Sequence, residues 1–559
     1  MGNDKVVIIG GIAAGTAAAA KCRRQDEDLE IIIYEKDKYI SYGTCGLPYF
    51  VSGKIENISK LLINTSENFS KRFNIGVRTM HEALSIDPEN NKIVVRDMKS
   101  NKEFEEDYSK LILATGSVPI EIKIEGYGAS NIFVLKTIKD AINIKKYMEE
   151  ISGTGKKNRN AVIIGGGFIG LELLEAYFKN SFNVTIIEKE SQILPMFDKE
   201  IIEYLEKHLE SLGVRILKNE VAKKFIKTED NTITKVLTSG GESLDADMVF
   251  FGIGTKPNNA LAAGAGIETG DTGAVIVDEF MRTNIEDIYA AGDCCECENL
   301  ISGNRRSYNL ASIANRQGRT AGYNAAGGRE RFDGSIVTSI IKVLDTVIGK
   351  TGLSLKEAKG LGINAGCIEL HYGSHAGYYP GSETMHMLIV FDRKNRKLLG
   401  LEAIGRDGID KRIDVASAAI KGGLAIEDLA SIDLAYQPAF GSARDSINIL
   451  GMIAENIKKE EVSFVDISEM REKIKNSENM TILDVRTSKE YDAGHIEGAL
   501  LIPVDDIRKN ISMLDPGKET IIYCRSGYRA YLALRVLRNI GFSDVKLLNG
   551  SYLSWDRKL

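Results

Sequence analysis

Residues 160–189 read NAVIIGGGFIGLELLEAYFKNSFNVTIIEK. An apolar run opens the stretch and leads into Gly165-Gly166-Gly167-Phe168-Ile169-Gly170. A helix-forming segment follows, and a second apolar run ends on Glu188. Strand, glycine turn, helix, strand and acid in that order predict a βαβ unit that binds a dinucleotide. The glycines permit a tight turn and let the backbone approach a pyrophosphate, whose charge suits a helix N-terminus. Glu188 is placed to accept from a ribose 2′-hydroxyl, which favours NADH; Lys189 beside it leaves NADPH open.

The N-terminus repeats the unit: KVVIIGGIAAGTAAAA from Lys5, then LEIIIYEK, with Glu35 as the acid. This copy, Gly10-Gly11-Ile12-Ala13-Ala14-Gly15, departs from the motif because Ile12 replaces the middle glycine. Two units imply two dinucleotide sites. LILATGSVP (111–119), DMVFFGIGTKPN (247–258) and IEDIYAAGDC (285–294) read as crossings between two nucleotide domains, so the first domain is expected to be discontinuous. In this order the elements resemble the two-dinucleotide flavoprotein disulfide reductase family. The resemblance implies FAD at the N-terminal site, held by Gly10, Gly11, Ala14, Gly15, Glu35, Lys36, Thr115, Gly116 and Asp293, with Asp293 on the ribityl chain. It implies the nicotinamide cofactor at Gly165, Gly167, Phe168, Ile169, Gly170, Glu188 and Gly254.

In Ser41-Tyr42-Gly43-Thr44-Cys45-Gly46-Leu47-Pro48-Tyr49 a helix start is expected, with Thr44 as N-cap and Pro48 in the first turn. Cys45 then sits at a helix N-terminus, whose dipole and free N–H groups make a thiol nucleophilic. Position 50 is Phe50, so the CxxxxC pair of classical family members is missing. Cys45 must pair with a substrate thiol, as a mixed disulfide, or with oxygen, as a sulfenic acid. The context is similar to the single-cysteine branch, the CoA-disulfide reductases. That resemblance implies coenzyme A as substrate or tightly bound cofactor, contacted by Arg24, Ser41, Thr44 and Arg319. It also implies a homodimer with residues 330–450 as interface, in which Tyr378, Tyr379 and Tyr436 reach the partner subunit's active site. Thr44 stands where the family usually has Asn.

The tail carries Leu483-Asp484-Val485-Arg486, Gly494-His495-Ile496-Glu497-Gly498-Ala499 and Cys524-Arg525-Ser526-Gly527-Tyr528-Arg529. Cys524 follows a strand, and a loop of this length turns successive N–H groups towards the sulfur, as an anion-binding nest does. The three motifs resemble a rhodanese domain, which carries sulfane sulfur as a cysteine persulfide. Cys524 is then the carrier and 525–529 its loop. Cys294, Cys295 and Cys297 cluster in sequence, but no second Cys/His pair stands near, so no metal is expected. His371, His375 and His386 lack metal spacing and read as structural.

Composition bounds the rest. The 559 residues hold 72 Lys+Arg against 78 Asp+Glu, a net charge of −6, which argues against a nucleic-acid partner. Hydrophobic residues are 43% and charged residues 27%, a globular balance. Seven cysteines, an odd number, make no disulfide framework and fit a reducing, cytoplasmic setting. No membrane-length apolar run occurs. Gly2 invites a myristoylation reading, but Val6 stands where that motif needs Ser or Thr.

The expected fold is α/β: two Rossmann-like dinucleotide-binding domains, an α+β dimerisation domain and a C-terminal α/β rhodanese domain. The boundaries are 1–115 with 245–328 for FAD, 116–244 for NAD(P)H, 329–452 for dimerisation, 453–464 as linker and 465–559 for rhodanese. The expected activity is NAD(P)H-dependent reduction of CoA persulfide or polysulfide. The alternatives are a CoA-disulfide reductase that maintains the thiol pool, and a non-turnover redox or sulfide sensor.

Overall fold

Two five-stranded parallel sheets grow from the two repeats. The computed structural model describes residues 4–557, so Gly2 lies outside the described residues. In the first sheet the order is Ile288–Ala290, Lys110–Leu113, Lys5–Ile9, Glu30–Glu35, Gly76–Thr79. In the second it is Arg215–Lys218, Phe182–Glu188, Arg159–Ile164, Met248–Phe251, Ile132–Phe133. The central strands are buried on both faces, which is why their sequences are unbroken apolar runs. Helix Ala13–Gln25 packs on Ala311–Ala325 through small residues. A Cβ at Gly318 or Gly322 would overlap the backbone of Ala14 or Ala18. Ser117–Pro119 and Thr255–Pro257 form a two-stranded antiparallel connector, as crossings should.

One boundary is corrected. Met248–Phe251 pairs with Arg159–Ile164, so the strand 248–251 belongs to the second dinucleotide sheet and the crossing comes after it. The sequence run alone does not reveal which strand it will lie beside.

The chain divides into two compact units, 1–193 with 213–337, and 194–212 with 338–559. The second unit takes helix Lys199–Ser211 out of the middle of the NAD(P)H segment. Its five-stranded antiparallel sheet runs Ser339–Val343, Thr346–Gly352, Leu398–Gly405, Thr384–Asp392, Ala365–Gly373, with helix Ile409–Lys421 across it. Helix Ser446–Lys458 extends into the expected linker. Its N-cap Asp445 accepts from the Ile447 N–H. The tail forms a parallel sheet ordered Phe464–Val465, Val545–Leu548, Glu519–Tyr523, Met480–Asp484, Leu500–Leu501.

A buried polar seam joins this tail to the antiparallel sheet. His371 and His386 stack with ring centroids 4.4 Å apart. His386 Nε2 meets Glu369 Oε2 at 3.1 Å, Ser554 Oγ donates to the same oxygen at 2.7 Å, and Ser554 Oγ lies 2.9 Å from His371 Nε2. The Glu369 N–H donates to Asn549 Oδ1 at 2.9 Å. These histidines hold the domains together, in keeping with a structural role.

Candidate functional site

The two glycine turns repeat each other in three dimensions. The Gly11 N–H donates to Glu35 Oε2 and the Gly166 N–H to Glu188 Oε2, both at 2.7 Å. The second oxygens accept from Asp37 and Glu190 N–H groups, both at 2.8 Å. Each acid is thus locked at its strand end, and its oxygens keep lone pairs for a further donor. Burial raises the Glu35 carboxyl above the usual range. Gly165 has φ +96°, and a Cβ there would stand 2.5 Å from Gly252 O. Gly10, at φ +107°, meets Ala114 O in the same way. Only glycine fits either turn. The helix starts after both turns carry no side-chain cap and no acid in their first turn, so their N–H groups suit a pyrophosphate. The residues fit a dinucleotide at each site.

At the first site three expected segments converge. A Cβ at Gly292 would lie 2.9 Å from the Ala14 Cβ, which places Asp293 beside the first helix. Thr115 Oγ1 donates to Asn258 O at 2.7 Å. Asp293 Oδ2 accepts from Ser117 Oγ at 3.0 Å and lies 3.7 Å from Lys136 Nζ, which itself donates to Ser117 at 2.8 Å. Lys36 is exposed past Glu35. At the second site Gly254 follows Gly252 on the opposing loop, Phe168 is half-buried and Ile169 exposed.

Cys45 is exposed, in a 3₁₀ turn Thr44–Gly46 that precedes the short helix Leu47–Val51. Thr44 is not the N-cap. That position falls to Gly43, which has no side chain, because the chain tightens into 3₁₀ before the α-helix starts. The Ser41 N–H donates to Gly11 O at 2.8 Å, which ties this segment to the first glycine turn. On its other side Lys54 pairs with Glu175 at 2.6 Å and Lys179 Nζ donates to Ser52 O at 3.0 Å. The thiol's turn therefore stands between the two dinucleotide folds. Ser41 is buried and Thr44 half-buried, while Arg24 is exposed and Arg319 is exposed beside Glu330.

Sequence reading missed two side chains here. Glu172, two residues past Gly170, is pushed up to about 7 by burial. Tyr49 is raised by burial first, and by Glu172 and Glu175 near it. Tyr49 stands four residues past Cys45, a helical spacing that was the available signal for it; Glu172 gave none.

In the second unit Tyr378 OH and Tyr436 OH lie 2.9 Å apart on an exposed surface. That hydrogen bond raises Tyr378. Tyr379 packs edge-on against His375, with centroids 5.6 Å apart. Cys524 is buried at the end of Glu519–Tyr523. The Gly527 N–H, at φ +112°, donates to Cys524 Sγ at 3.1 Å. One N–H of the loop thus reaches the sulfur, and Ser551 Oγ accepts from the Cys524 N–H at 3.0 Å. Arg525 and Tyr528 are exposed, and Ser526 is half-buried. Arg529 is held by Glu490 through two hydrogen bonds of 2.7 Å. Glu490 was missed, although Thr487-Ser488-Lys489-Glu490 is a capping-box pattern.

Burial raises the Cys294, Cys295 and Cys297 thiols, whose sulfurs point at backbone oxygens. Among the described residues no group of three or more His, Cys, Asp or Glu stands together as a metal set. No helix among them is long and apolar enough to cross a membrane.

Comparison with known proteins agrees with this geometry. The pyridine nucleotide-disulphide oxidoreductase model matches residues 4–318, its dimerisation domain 338–446, and the rhodanese-like domain 466–558. The NAD(P)H coenzyme A polysulfide/persulfide reductase of Pyrococcus horikoshii is 36% identical over 80% of this chain and 98% of its own. The coenzyme A disulfide reductase of Staphylococcus haemolyticus is 30% identical over 81% of this chain and 100% of its own. Reduced CoADR-RHD of Bacillus anthracis superposes with a TM-score of 0.94 at 34% identity, over 99% of this chain and 98% of its own. The NAD-dependent persulfide reductase of A. fulgidus gives 0.91 at 34%, over 99% and 100%. The chain therefore belongs to the pyridine nucleotide-disulphide oxidoreductase family, in its CoA-disulfide and persulfide reductase branch with a fused rhodanese domain, and is an FAD-dependent NAD(P)H oxidoreductase.

Proposed function

We propose that this enzyme reduces CoA persulfide, and polysulfide by way of it, to sulfide. The observation that carries the reading is the cradled Cys524, which a reductase of plain disulfides does not need. FAD, when bound, supplies the two-electron relay between reduced nicotinamide and sulfur. Gly10, Gly11, Ala14, Gly15, Glu35, Thr115, Gly116 and Asp293 hold it, with Lys136 and Ser117 fixing the Asp293 carboxylate. Gly165, Gly167, Gly170 and Gly254 take the nicotinamide cofactor, and Glu188 favours the unphosphorylated ribose.

Cys45 attacks the CoA-side sulfur of CoA–S–SH, forming Cys45–S–S–CoA and releasing hydrosulfide. Two electrons then cleave that disulfide, returning the Cys45 thiolate and CoA thiol. The sum is NADH + H⁺ + CoA–S–SH → NAD⁺ + CoA–SH + H₂S. Cys524 takes sulfane sulfur from a donor and hands it to the CoA thiol, which makes the substrate for Cys45. In the homodimer, Tyr378 and Tyr436 act across the interface as hydrogen-bond donors to a leaving thiolate. Arg24, Ser41, Thr44 and Arg319 are the CoA contacts.

The test is anaerobic NADH oxidation with CoA persulfide and with CoA disulfide. The reading requires a higher kcat/KM for persulfide, and loss of polysulfide-driven turnover in Cys524→Ser. A preference for the disulfide, indifferent to Cys524, would leave a thiol-pool reductase.

A further inference from the structure

Glu490 is far from Cys524 in sequence and carries no thiol chemistry of its own, yet its carboxylate accepts from both Thr487 and the loop residue Arg529. Arg529 Nη1 donates to Glu490 Oε2 and Nη2 to Oε1, each at 2.7 Å. Thr487 N and Thr487 Oγ1 donate to Oε2 as well, at 3.0 and 2.9 Å. The carboxylate is therefore fixed at one end by the start of helix Ser488–Asp492, and at the other it grips the guanidinium end-on. A bidentate grip sets the plane of a guanidinium as well as its place. Gly527, whose N–H meets the sulfur, is the N-cap of the helix that carries Arg529, and Cys524 is one of the groups that favour the Arg529 charge. Arg529 closes the loop from the first turn of helix Tyr528–Asn539.

We infer that Glu490 is a positioning residue for sulfur transfer at Cys524: it sets the plane of Arg529, so that the guanidinium and the Gly527 N–H together hold the charge on the sulfur. The inference rests on the proposed role of Cys524 as sulfane carrier. In the step concerned the Cys524 thiolate attacks the outer sulfur of RS–SH. The S–S bond to R breaks, RS⁻ leaves and Cys524–S–SH forms, with no net change in electrons. Negative charge passes through the loop during this exchange, so donors fixed in advance are worth more than donors that must reorient.

The experiment uses the full-length protein without NADH, mixed with CoA persulfide, and follows persulfide on Cys524 by mass spectrometry after alkylation. Glu490→Gln keeps the capping box, which accepts Gln in that place, but breaks the two-point grip. A purely structural Glu490 leaves Glu490→Gln at the wild-type rate. A positioning Glu490 lowers the rate on the order of 10²-fold, the cost of a small misplacement at a reacting centre. Glu490→Ala serves as a second variant, and Glu490→Ala with Arg529→Ala closes a double-mutant cycle. If Glu490 acts through Arg529, the double variant is no slower than Arg529→Ala alone. Effects that multiply, or a Glu490→Gln rate equal to wild type, overturn the inference. A wild-type protein that takes up no sulfur on Cys524 overturns the carrier role, and the inference falls with it.

Discussion

Arg412 ties together the loops that carry the exposed tyrosines, and its removal gives the sharpest stability prediction. It is buried on helix Ile409–Lys421. Nη2 donates to Asp445 Oδ2 at 2.6 Å and to Ser374 O at 2.9 Å, Nε donates to Asp445 Oδ1 at 3.2 Å, and Nη1 donates to Gly408 O at 3.0 Å. Asp445 is also buried, which alone would raise its carboxyl; the Arg412 charge and hydrogen bonds outweigh this and lower it. At 2.6 Å and an effective dielectric of about 20, attraction is about 6 kcal/mol. Desolvation of two ions costs several kcal/mol each, so the intact pair contributes little net stability. Breaking it is different. Arg412→Ala leaves the buried carboxylate with Lys411 at 3.6 Å and the Ile447 N–H, Asp445→Ala strands a buried guanidinium, and each is expected to cost about 3 kcal/mol, the second more than the first. Arg412→Met with Asp445→Leu removes both charges and should cost far less than the sum, with a coupling of about 2 kcal/mol or more. Native-state hydrogen exchange of 409–421 reads the local free energy directly. A single variant within about 1 kcal/mol of wild type, or singles that add in the double, would refute the reasoning.

Three further outcomes are expected. Gly165→Ala places a methyl 2.5 Å from Gly252 O at φ +96°, a strain of about 1–3 kcal/mol, so NADH affinity falls about tenfold or more while flavin content holds; unchanged NADH binding by titration would contradict it. Glu172 loses its proton near pH 7, so the pH profile of NADH oxidation in stopped flow should carry a limb there that Glu172→Gln abolishes; an unchanged limb removes Glu172 from the reaction. The seam should weaken in acid: burial lowers His386 to about 3 and His371 well below 6.5, so from pH 6.5 downwards the unfolded state binds more protons than the folded one. Glu369, raised to about 7 by burial, opposes this between 4.5 and 7, but two imidazoles outweigh one carboxyl. Exchange protection of helix Ser551–Asp556 should drop between pH 7 and 5, and constant protection would count against the balance.

Much of this was legible because the decisive chemistry is local. A glycine turn, its preceding strand and its acid lie within one βαβ unit, so both dinucleotide folds and the Cys524 loop could be read from contiguous residues. Strand partners could not. Met248–Phe251 looks like a crossing in sequence and is a sheet strand in space, and helix Lys199–Ser211 leaves the fold that surrounds it in the chain. The turn at Cys45 shows a subtler limit. Thr44 has the right side chain for a cap, but backbone that tightens to 3₁₀ moves the cap position to Gly43. Lys136 gave no signal at all, since only the fold brings it to Ser117 and Asp293.

The histidine seam also bears on how such a chain is assembled from parts. A rhodanese-like segment with its own family match invites treatment as a cassette, to be cut off near residue 465 or grafted elsewhere. The seam forbids a clean cut. Truncation would uncover the Glu369, His371 and His386 face on one fragment, and on the other cost Asn549 Oδ1 the Glu369 N–H and Ser554 Oγ both Glu369 and His371. The tail is therefore grown into its neighbour, and its gain or loss in a lineage requires matching changes on the strand surface that receives it.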